Sequence, residues 1–210
     1  KIIAVEAAAA ASFTASLAAG KPVDAPVRPT LADGLAVGRV GERAFALAAP
    51  RVDRVVTVDE QLLSLAVLRL LELEKTSCEG AGAAALAAIM GAAGQDLKGL
   101  KVVLLLCGGN IDPTVLHRVI DHGLAVDGRL WRFTATVSDR PGGMARLTQV
   151  IADAGASVLE INHDRAFSGP EVFSTTVEVT VETADQDHID ALNKQLHEAG
   201  FGVVPATGCH

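Results

Sequence analysis

The pattern of apolar positions changes near residue 128. Before that point, short apolar runs alternate with longer segments in which apolar residues recur every three or four positions, a pattern typical of strands alternating with helices. After it, runs rich in Val and Thr are separated by two segments with the helical period. The first part therefore predicts an α/β region with a doubly wound parallel sheet. The second predicts the order βαββαβ, which is that of a ferredoxin-like α+β sandwich.

Up to residue 106, the first part contains three predicted strands and three predicted helices. The strands cover 2–5, 55–58 and 102–106, and the helices cover 7–19, 59–73 and 81–91. Gly20 ends the first helix, and Asp59 caps the second. The run at 102–106 is wholly apolar, as expected for a central strand with helices on both faces.

The second part contains four predicted strands, at 130–137, 156–166, 172–183 and 201–204, and two helices, at 144–154 and 185–199. A turn at 167–170 joins the middle strands. One face of the third strand is predicted to be buried, since it carries Phe173, Thr175, Val177, Val179 and Val181. Residues 121–128 contain two glycines and few apolar anchors, so we expect a hinge. The predicted domains are 1–122 and 130–205, joined by a linker at 123–129.

Composition narrows the function classes. The 210 residues are 50% hydrophobic and carry a net charge of −7, which disfavours a nucleic-acid partner or an anionic membrane surface. No run is both long and apolar enough to span a membrane. Three cysteines without CxxC spacing favour a reducing compartment, and we expect no leader sequence before the first strand. We therefore expect a cytoplasmic protein.

A chemically suggestive motif follows the third predicted strand. Cys107, Gly108 and Gly109 come directly after the apolar run, and Asp112 and Pro113 then open a helix. Residues at the carboxyl end of a buried parallel strand face the crevice where α/β sheets bind ligands, and a thiol there can hydrogen-bond a ring nitrogen. The alternative is a tight strand-to-helix turn with a small buried cysteine.

Three motifs in this order resemble the second half of the catalytic domain of threonine ammonia-lyases. They are Thr30-Leu-Ala-Asp-Gly34, Cys78-Glu-Gly-Ala-Gly-Ala83 and Cys107-Gly-Gly-Asn-Ile-Asp112, and the similarity extends over residues 1–120. These lyases are fold-type II pyridoxal-phosphate enzymes. The resemblance implies a threonine dehydratase that converts L-threonine, or L-serine, to a 2-oxo acid and ammonia. It also implies a place in amino-acid metabolism and isoleucine biosynthesis.

The same resemblance implies a set of cofactor-binding residues. Cys107 stands where the family has a residue that hydrogen-bonds the pyridine nitrogen, with Gly108 and Gly109 beside it, and Glu79 lies near the ring. A neutral partner for that nitrogen weakens the electron sink, which suits β-elimination. Asp33 and Gly34 line the cofactor crevice.

Two elements of that family are missing from these 210 residues. None of the six lysines stands in the Ser-Phe-Lys-like context of the Schiff-base lysine, and no glycine run matches the family's phosphate loop. We therefore expect no catalysis by this chain alone, and the cofactor would lose its main anchors. The alternative is a non-catalytic, truncated protein that binds amino acids. In a variant of that interpretation, a separate polypeptide supplies the missing half and docks on this one.

Glu6 and Ala10 raise the question of a cation. In relatives that bind a divalent ion, a Glu after this strand is followed by an Ala carbonyl and an Asp, and Ser12 replaces the Asp here. A hard cation prefers more carboxylate oxygen than one Glu offers. The alternative role for Glu6 is to lie at a helix N-terminus, where the dipole favours negative charge.

The second part resembles the ACT domain, a regulatory module that binds amino acids. The carrying motif is Ser138-Asp-Arg-Pro-Gly-Gly-Met144, and the resemblance covers 129–204. Amides of Gly142, Gly143 and Met144 would hold an effector carboxylate, and Asp139 would accept its ammonium. Ser157, which stands where many ACT domains have Asn, is the remaining effector-binding residue that the resemblance implies. The alternative is a turn that only assembles sheets side by side. We expect a homo-oligomer through ACT pairing and exposed sheet, with allosteric regulation.

Overall fold

The computed structural model describes residues 1–163 and 174–206. Contacts divide the chain into two compact units, Lys1–Gly123 and Leu124–His210. The predicted turn at 167–170, Phe173 and Cys209 lie outside the described residues. Among the residues that are described, no helix has the length and apolar character needed to cross a membrane.

The first unit is built from two strands, a 3-10 helix and six helices. The strands are β1 (Ile3–Ala7) and β2 (Arg54–Val58), and the 3-10 helix is Asp33–Leu35. The helices are α1 (Ser12–Ala19), α2 (Glu42–Ala48), α3 (Glu60–Glu74), α4 (Gly80–Met90), α5 (Ala93–Asp96) and α6 (Pro113–Val126), the last of which continues past Gly123. β1 and β2 pair in parallel, in the register Val5 with Val56.

Local sequence explains where these helices begin and end. The Asp59 carboxylate accepts the Leu62 N–H at 2.8 Å and so caps α3 as predicted. Gly20 ends α1 in the left-handed conformation, with φ +68°. Alanines of α4 pack closely against the apolar side of α3, and the core is formed by these two helices with parts of β1 and β2.

The strand predicted at 102–106 is wrong. Residues 101–112 have no regular secondary structure, and the side chains of Val103 and Leu105 are 95% and 77% exposed. Apolar composition reports a tendency to be buried, but a strand also needs a neighbour for its ladder hydrogen bonds. Among the described residues, β1 and β2 pair only with each other. The 102–106 run therefore has no partner strand.

The hinge predicted at 121–128 is also wrong over most of its length, because α6 continues to Val126. Gly123 is buried, and a Cβ added there would lie 3.1 Å from both the Leu68 Cβ and the Ser64 carbonyl oxygen. This glycine therefore allows α6 to pack closely against α3. Glycine serves close packing as readily as flexibility, and its presence alone does not distinguish them.

The second unit has the βαββαβ order that the sequence predicts. Its elements are β3 (Leu130–Ser138), α7 (Gly143–Asp153), β4 (Ser157–His163), β5 (Ser174–Glu182), α8 (Gln186–Glu198) and β6 (Gly202–Pro205). The four strands form one antiparallel sheet in the order β4-β5-β3-β6, so β4 and β6 are its edges. The α/β and ferredoxin-like fold classes are both confirmed.

One face of this sheet packs against the two helices. Alternate residues of β3 and β5 are buried, among them Phe133, Val177 and Val179, and they meet Leu147 and Leu192 from the helices. The other face carries polar side chains. The predicted inner face of β5 is confirmed over its described residues, from Thr175 to Val181.

Candidate functional site

The three motifs of the first unit converge at the start of α4. The Glu79 N–H donates a hydrogen bond to the Gly108 carbonyl at 2.9 Å. The Cys78 thiol lies 3.7 Å from the Cys107 carbonyl oxygen. Residues that are 29 positions apart in sequence are therefore in direct contact, and the Cys107–Gly109 segment docks on the turn that opens α4.

Glycines make this docking possible. A Cβ on Gly82 would overlap the Cys107 carbonyl, and a Cβ on Gly108 would overlap the Glu79 carboxylate. Gly108 also has φ +83°, a conformation that residues with a side chain rarely adopt. The glycines of the second and third motifs thus have a steric reason, which is close approach between the two segments.

The first motif reaches the same helix from another side. Asp33 begins the 3-10 helix, and a Cβ on Gly34 would lie 3.1 Å from the Ala81 Cβ. The Leu31 carbonyl lies against Gly80 so closely that a Cβ there would be 2.5 Å away. The structure therefore brings Asp33, Gly34, Glu79 and the Cys107–Gly109 segment around one helix N-terminus.

Glu60 holds the first motif in place, and the sequence did not single it out. Its carboxylate accepts the Thr30 hydroxyl at 2.5 Å and the Leu31 N–H at 2.7 Å. We call these three residues the Glu60 clamp. An acidic residue in the first turn of a helix is common, and a local pattern cannot reveal partners 29 or 30 positions away.

The two cysteines of this site have different environments. Cys78 is buried, and burial raises the pKa of its thiol, with smaller contributions from Cys107 and Glu79. Cys107 is exposed, so the alternative of a buried structural cysteine does not hold. The Cys107 thiol is therefore accessible to a ligand.

The site residues fit the ring side of pyridoxal phosphate better than its phosphate. Cys107 offers an exposed thiol, and the backbone at Gly108 and Gly109 lacks side chains that would block a flat ring. In contrast, Gly-Gly occurs elsewhere in the sequence only at 142–143, in the second unit. A backbone nest for a phosphate group therefore has no counterpart beside these motifs.

Glu6 caps a helix. Its two carboxylate oxygens accept the N–H groups of Phe13 and Thr14 at 2.7 and 2.8 Å, and also the Thr14 hydroxyl. This bonding starts α1 at Ser12 rather than at the predicted residue 7. It corresponds to the alternative role for Glu6. Among the described residues, no three His, Cys, Asp or Glu side chains group as metal ligands.

In the second unit, the 139–144 turn opens α7. Gly142 has φ +97°, and Gly143 packs so tightly on the Ser138 carbonyl that a Cβ would overlap it. The Gly143 N–H already donates a hydrogen bond to the Arg140 carbonyl at 3.1 Å, so it is engaged within the turn. The next amides at the start of a helix have no partner within the helix, and they suit an anion. Asp139 is exposed beside this turn.

Ser157 does not join that turn within one copy of the chain. Ser157 pairs with Glu182, and Glu182 pairs with Leu130 at the beginning of β3. Asp139 follows Ser138, which is at the other end of β3 and pairs with Ser174. The predicted effector residues are therefore divided between opposite ends of the sheet.

Comparison with known families finds two matches, one in each part of the chain. Residues 1–108 match the family described as "Pyridoxal-phosphate dependent enzyme", and residues 133–201 match "ACT domain". Because the first match covers more than half of the sequence, the chain belongs to the pyridoxal-phosphate dependent enzyme family, and it carries an ACT domain.

Two similar proteins are named L-threonine ammonia-lyase. The protein from Geobacter sulfurreducens is 41% identical over 96% of this chain, and the protein from Thermotoga maritima is 36% identical over 97%. In both cases the match covers 50% of the relative. The chain thus spans about half the length of these curated relatives.

Solved structures are also similar to part of this chain, over more than half of its length. The processed form of threonine deaminase isoform 2 from Solanum lycopersicum is 34% identical, with a TM-score of 0.55, over 58% of this chain and 36% of that one. A maize serine racemase is 30% identical, with a TM-score of 0.51, over 58% and 39%.

Proposed function

We propose that this chain forms part of a threonine ammonia-lyase, which converts L-threonine to 2-oxobutanoate and ammonia, with an ACT domain that senses an amino acid. One observation carries the proposal. The Thr30–Gly34, Cys78–Ala83 and Cys107–Asp112 motifs meet at the start of α4, in a chain whose relatives are named L-threonine ammonia-lyase.

In this proposal, the residues of the first unit form one wall of the cofactor site. The Cys107 thiol would hydrogen-bond the pyridine nitrogen without protonating it, and Gly108 and Gly109 would let the ring approach the backbone. Asp33, Gly34 and Glu79 would line the same crevice. Pyridoxal phosphate, when bound, withdraws electrons from the amino-acid Cα and so makes elimination of the β-hydroxyl feasible.

The chemistry also needs an amine that bonds to the cofactor aldehyde. The six lysines of this sequence are Lys1, Lys21, Lys75, Lys98, Lys101 and Lys194. Since none stands in the family's lysine motif, that amine would come from the part of the relatives that this chain does not match. We therefore expect the 210-residue chain to be inactive by itself. A cytoplasmic location, which the cysteine usage favours, stays a prediction.

For the ACT domain, we infer pairing of two copies through β4. This strand is a sheet edge, and Val158 and Leu159 on it are exposed. Two β4 strands paired antiparallel would bring Ser157 of one copy near the His163 end of the other. The His163 end of β4 lies at the same end of the sheet as Asp139 to Met144. Pairing would therefore bring Ser157 of one copy close to the predicted effector residues of the other copy.

The test of the lyase proposal is a fusion. The amino-terminal half of the Geobacter sulfurreducens relative is joined to this chain, and 2-oxobutanoate release from L-threonine is measured with added pyridoxal phosphate. The fusion should be active and the 210-residue chain inactive. In the fusion, Cys107→Ala should lower the rate by about tenfold, the value of one lost hydrogen bond. Cys107→Ser, which keeps a hydroxyl, should retain most activity.

The outcomes separate the alternatives. Product formation by the 210-residue chain alone would contradict the need for an external amine. A folded fusion that binds pyridoxal phosphate but leaves L-threonine unchanged would contradict the assigned reaction. A folded fusion that neither binds pyridoxal phosphate nor releases 2-oxobutanoate would support the non-catalytic interpretation.

A further inference from the structure

A cleft of about 550 Å³ lies in the first unit, between the 29–31 segment, the first turn of α3 and one side of α6. Its volume is in the range of small-molecule sites. The cleft is distinct from the cofactor wall, since Asp33, Gly34 and Cys107 do not line it.

One face of α6 forms a wall of this cleft. Val115, Arg118, Val119 and His122 recur at the i, i+3, i+4, i+7 spacing, so all four lie on the same side of the helix. Val119 is almost fully buried, whereas Arg118 is exposed. The wall therefore combines an apolar surface, the cationic Arg118 and the His122 imidazole, which can donate a hydrogen bond.

The opposite wall contains the Glu60 clamp. Both carboxylate oxygens of Glu60 already accept hydrogen bonds, from the Thr30 hydroxyl and the Leu31 N–H. Pro29 and Leu31 add apolar surface. Glu60 keeps its negative charge, but both of its oxygens are engaged by these two hydrogen bonds.

The positive charge of Arg118 is available to a ligand. Over residues 1–163 and 174–206, the structure gives its guanidinium no ion pair and no hydrogen bond. Glu60 lines the same cleft but is not within ion-pair distance of it. A guanidinium prefers a planar anion that it can bind with two parallel hydrogen bonds, as a carboxylate offers.

We propose that this cleft binds a small aliphatic carboxylate. The carboxylate lies on Arg118, with His122 as a second donor, and the aliphatic chain lies on Val119, Leu31 and Pro29. The apolar walls favour such a molecule over inorganic phosphate, which has no apolar part to bury. This site is separate from the proposed lyase chemistry and does not depend on it. The clamp residues Thr30 and Leu31 also begin the first motif, so a bound ligand touches the segment that leads to Gly34.

Isothermal titration of the 210-residue chain tests the site with three probes. These are 4-methylpentanoate, 4-methylpentylamine, which has the same carbon skeleton with the opposite charge, and inorganic phosphate. We expect 4-methylpentanoate to bind more tightly than either of the other two. Arg118→Gln should weaken its binding about tenfold or more, because a charge-assisted bond is lost. Arg43→Gln, which removes another exposed arginine outside the cleft, is the matched control and should change nothing.

Thermal melts by circular dichroism verify that both variants are folded. The proposal is wrong if 4-methylpentanoate fails to bind at its highest soluble concentration, or if the amine binds as tightly. Equal binding of phosphate would contradict the aliphatic part of the site, and unchanged binding by Arg118→Gln would contradict the role of Arg118. The titration of the 210-residue chain and the activity assay of the fusion are separate measurements. A negative titration result therefore leaves the lyase proposal intact.

Discussion

Cys78 and Cys107 lie in the same site but differ in the state of their thiols. The Cys78 side chain is 2% exposed, and its pKa is raised because burial disfavours the thiolate. Cys107 is open to solvent. Since the thiolate is the nucleophile in alkylation, the two residues should differ in reactivity far more than their position in one site implies.

Alkylation of the folded chain with iodoacetamide should therefore modify Cys107 well before Cys78, by about tenfold or more in rate, because burial both shields the Cys78 thiol and disfavours its thiolate. Peptide mass mapping over a time course measures both sites. In denaturant the difference should disappear, which serves as the control. Faster modification of Cys78 in the folded chain would contradict the described burial.

At the scale of the element, the start of α6 depends on one carboxylate. Asp112 accepts the N–H groups of Thr114 and Val115 at 2.7 and 3.3 Å, and the Thr114 bond is the main reason that the Asp112 pKa is lowered. A lowered folded pKa means that the stabilisation is present above the ordinary value near 3.8 and is lost as the pH falls through the folded value.

Asp112→Ala should accordingly lower the helicity and the unfolding free energy at neutral pH. The difference from the unsubstituted chain should shrink once the pH falls below about 3.8, to the part that a neutral capping oxygen supplies. Asp112→Asn is the matched variant, since its side-chain oxygen still caps the helix but does not titrate. Urea titrations followed by far-UV circular dichroism at several pH values measure this. A pH-independent effect of Asp112→Ala would exclude the charge as the cause.

Elements with local signals were predictable from the sequence. Asp59 and Asp112 mark helix starts that the structure confirms, and the alternation in β5 gives the correct buried face. The strand predicted at 102–106 was wrong because a strand needs a partner strand, and the topology of the fold rather than composition decides which strands pair. The extra residue at the β4 bulge, between Val158 and Glu160, likewise left no mark in the sequence pattern.

The candidate site was predictable in part. The motif residues were found through their resemblance to a family, and the structure supplied the contacts that explain their glycines. Glu60 was missed because its partners are distant in sequence. The division of Ser157 from Asp139 was also missed, since it follows from strand register, which two separate motifs do not encode.

At the scale of the whole molecule, the proposed pairing through β4 makes assembly and effector binding inseparable. Leu159 is 54% exposed on this edge, so Leu159→Lys should leave the fold of one copy intact. A lysine on an edge strand opposes pairing, because its charge would be buried against the second copy. The substituted chain should therefore be monomeric and should lose amino-acid binding by the ACT domain.

Light scattering after size-exclusion chromatography measures assembly, and titration with a panel of L-amino acids measures effector binding. Val204→Lys places the same charge on β6, the opposite edge of the sheet, where Val204 is also exposed, and should alter neither property. If Val204→Lys rather than Leu159→Lys gives the monomer, pairing uses the other edge. A monomeric Leu159→Lys chain that still binds amino acids would refute the shared site.

The uncovered run at Val102–Leu106 has a consequence for how this chain behaves in a cell. Five successive apolar residues without an intervening charge form the kind of segment that self-associates when it is left accessible, and that chaperones bind. Lys101 places a charge directly before this run, which opposes aggregation, but the residues directly after it are uncharged. Yield and solubility during expression should thus depend on chain concentration and on whatever polypeptide covers this stretch.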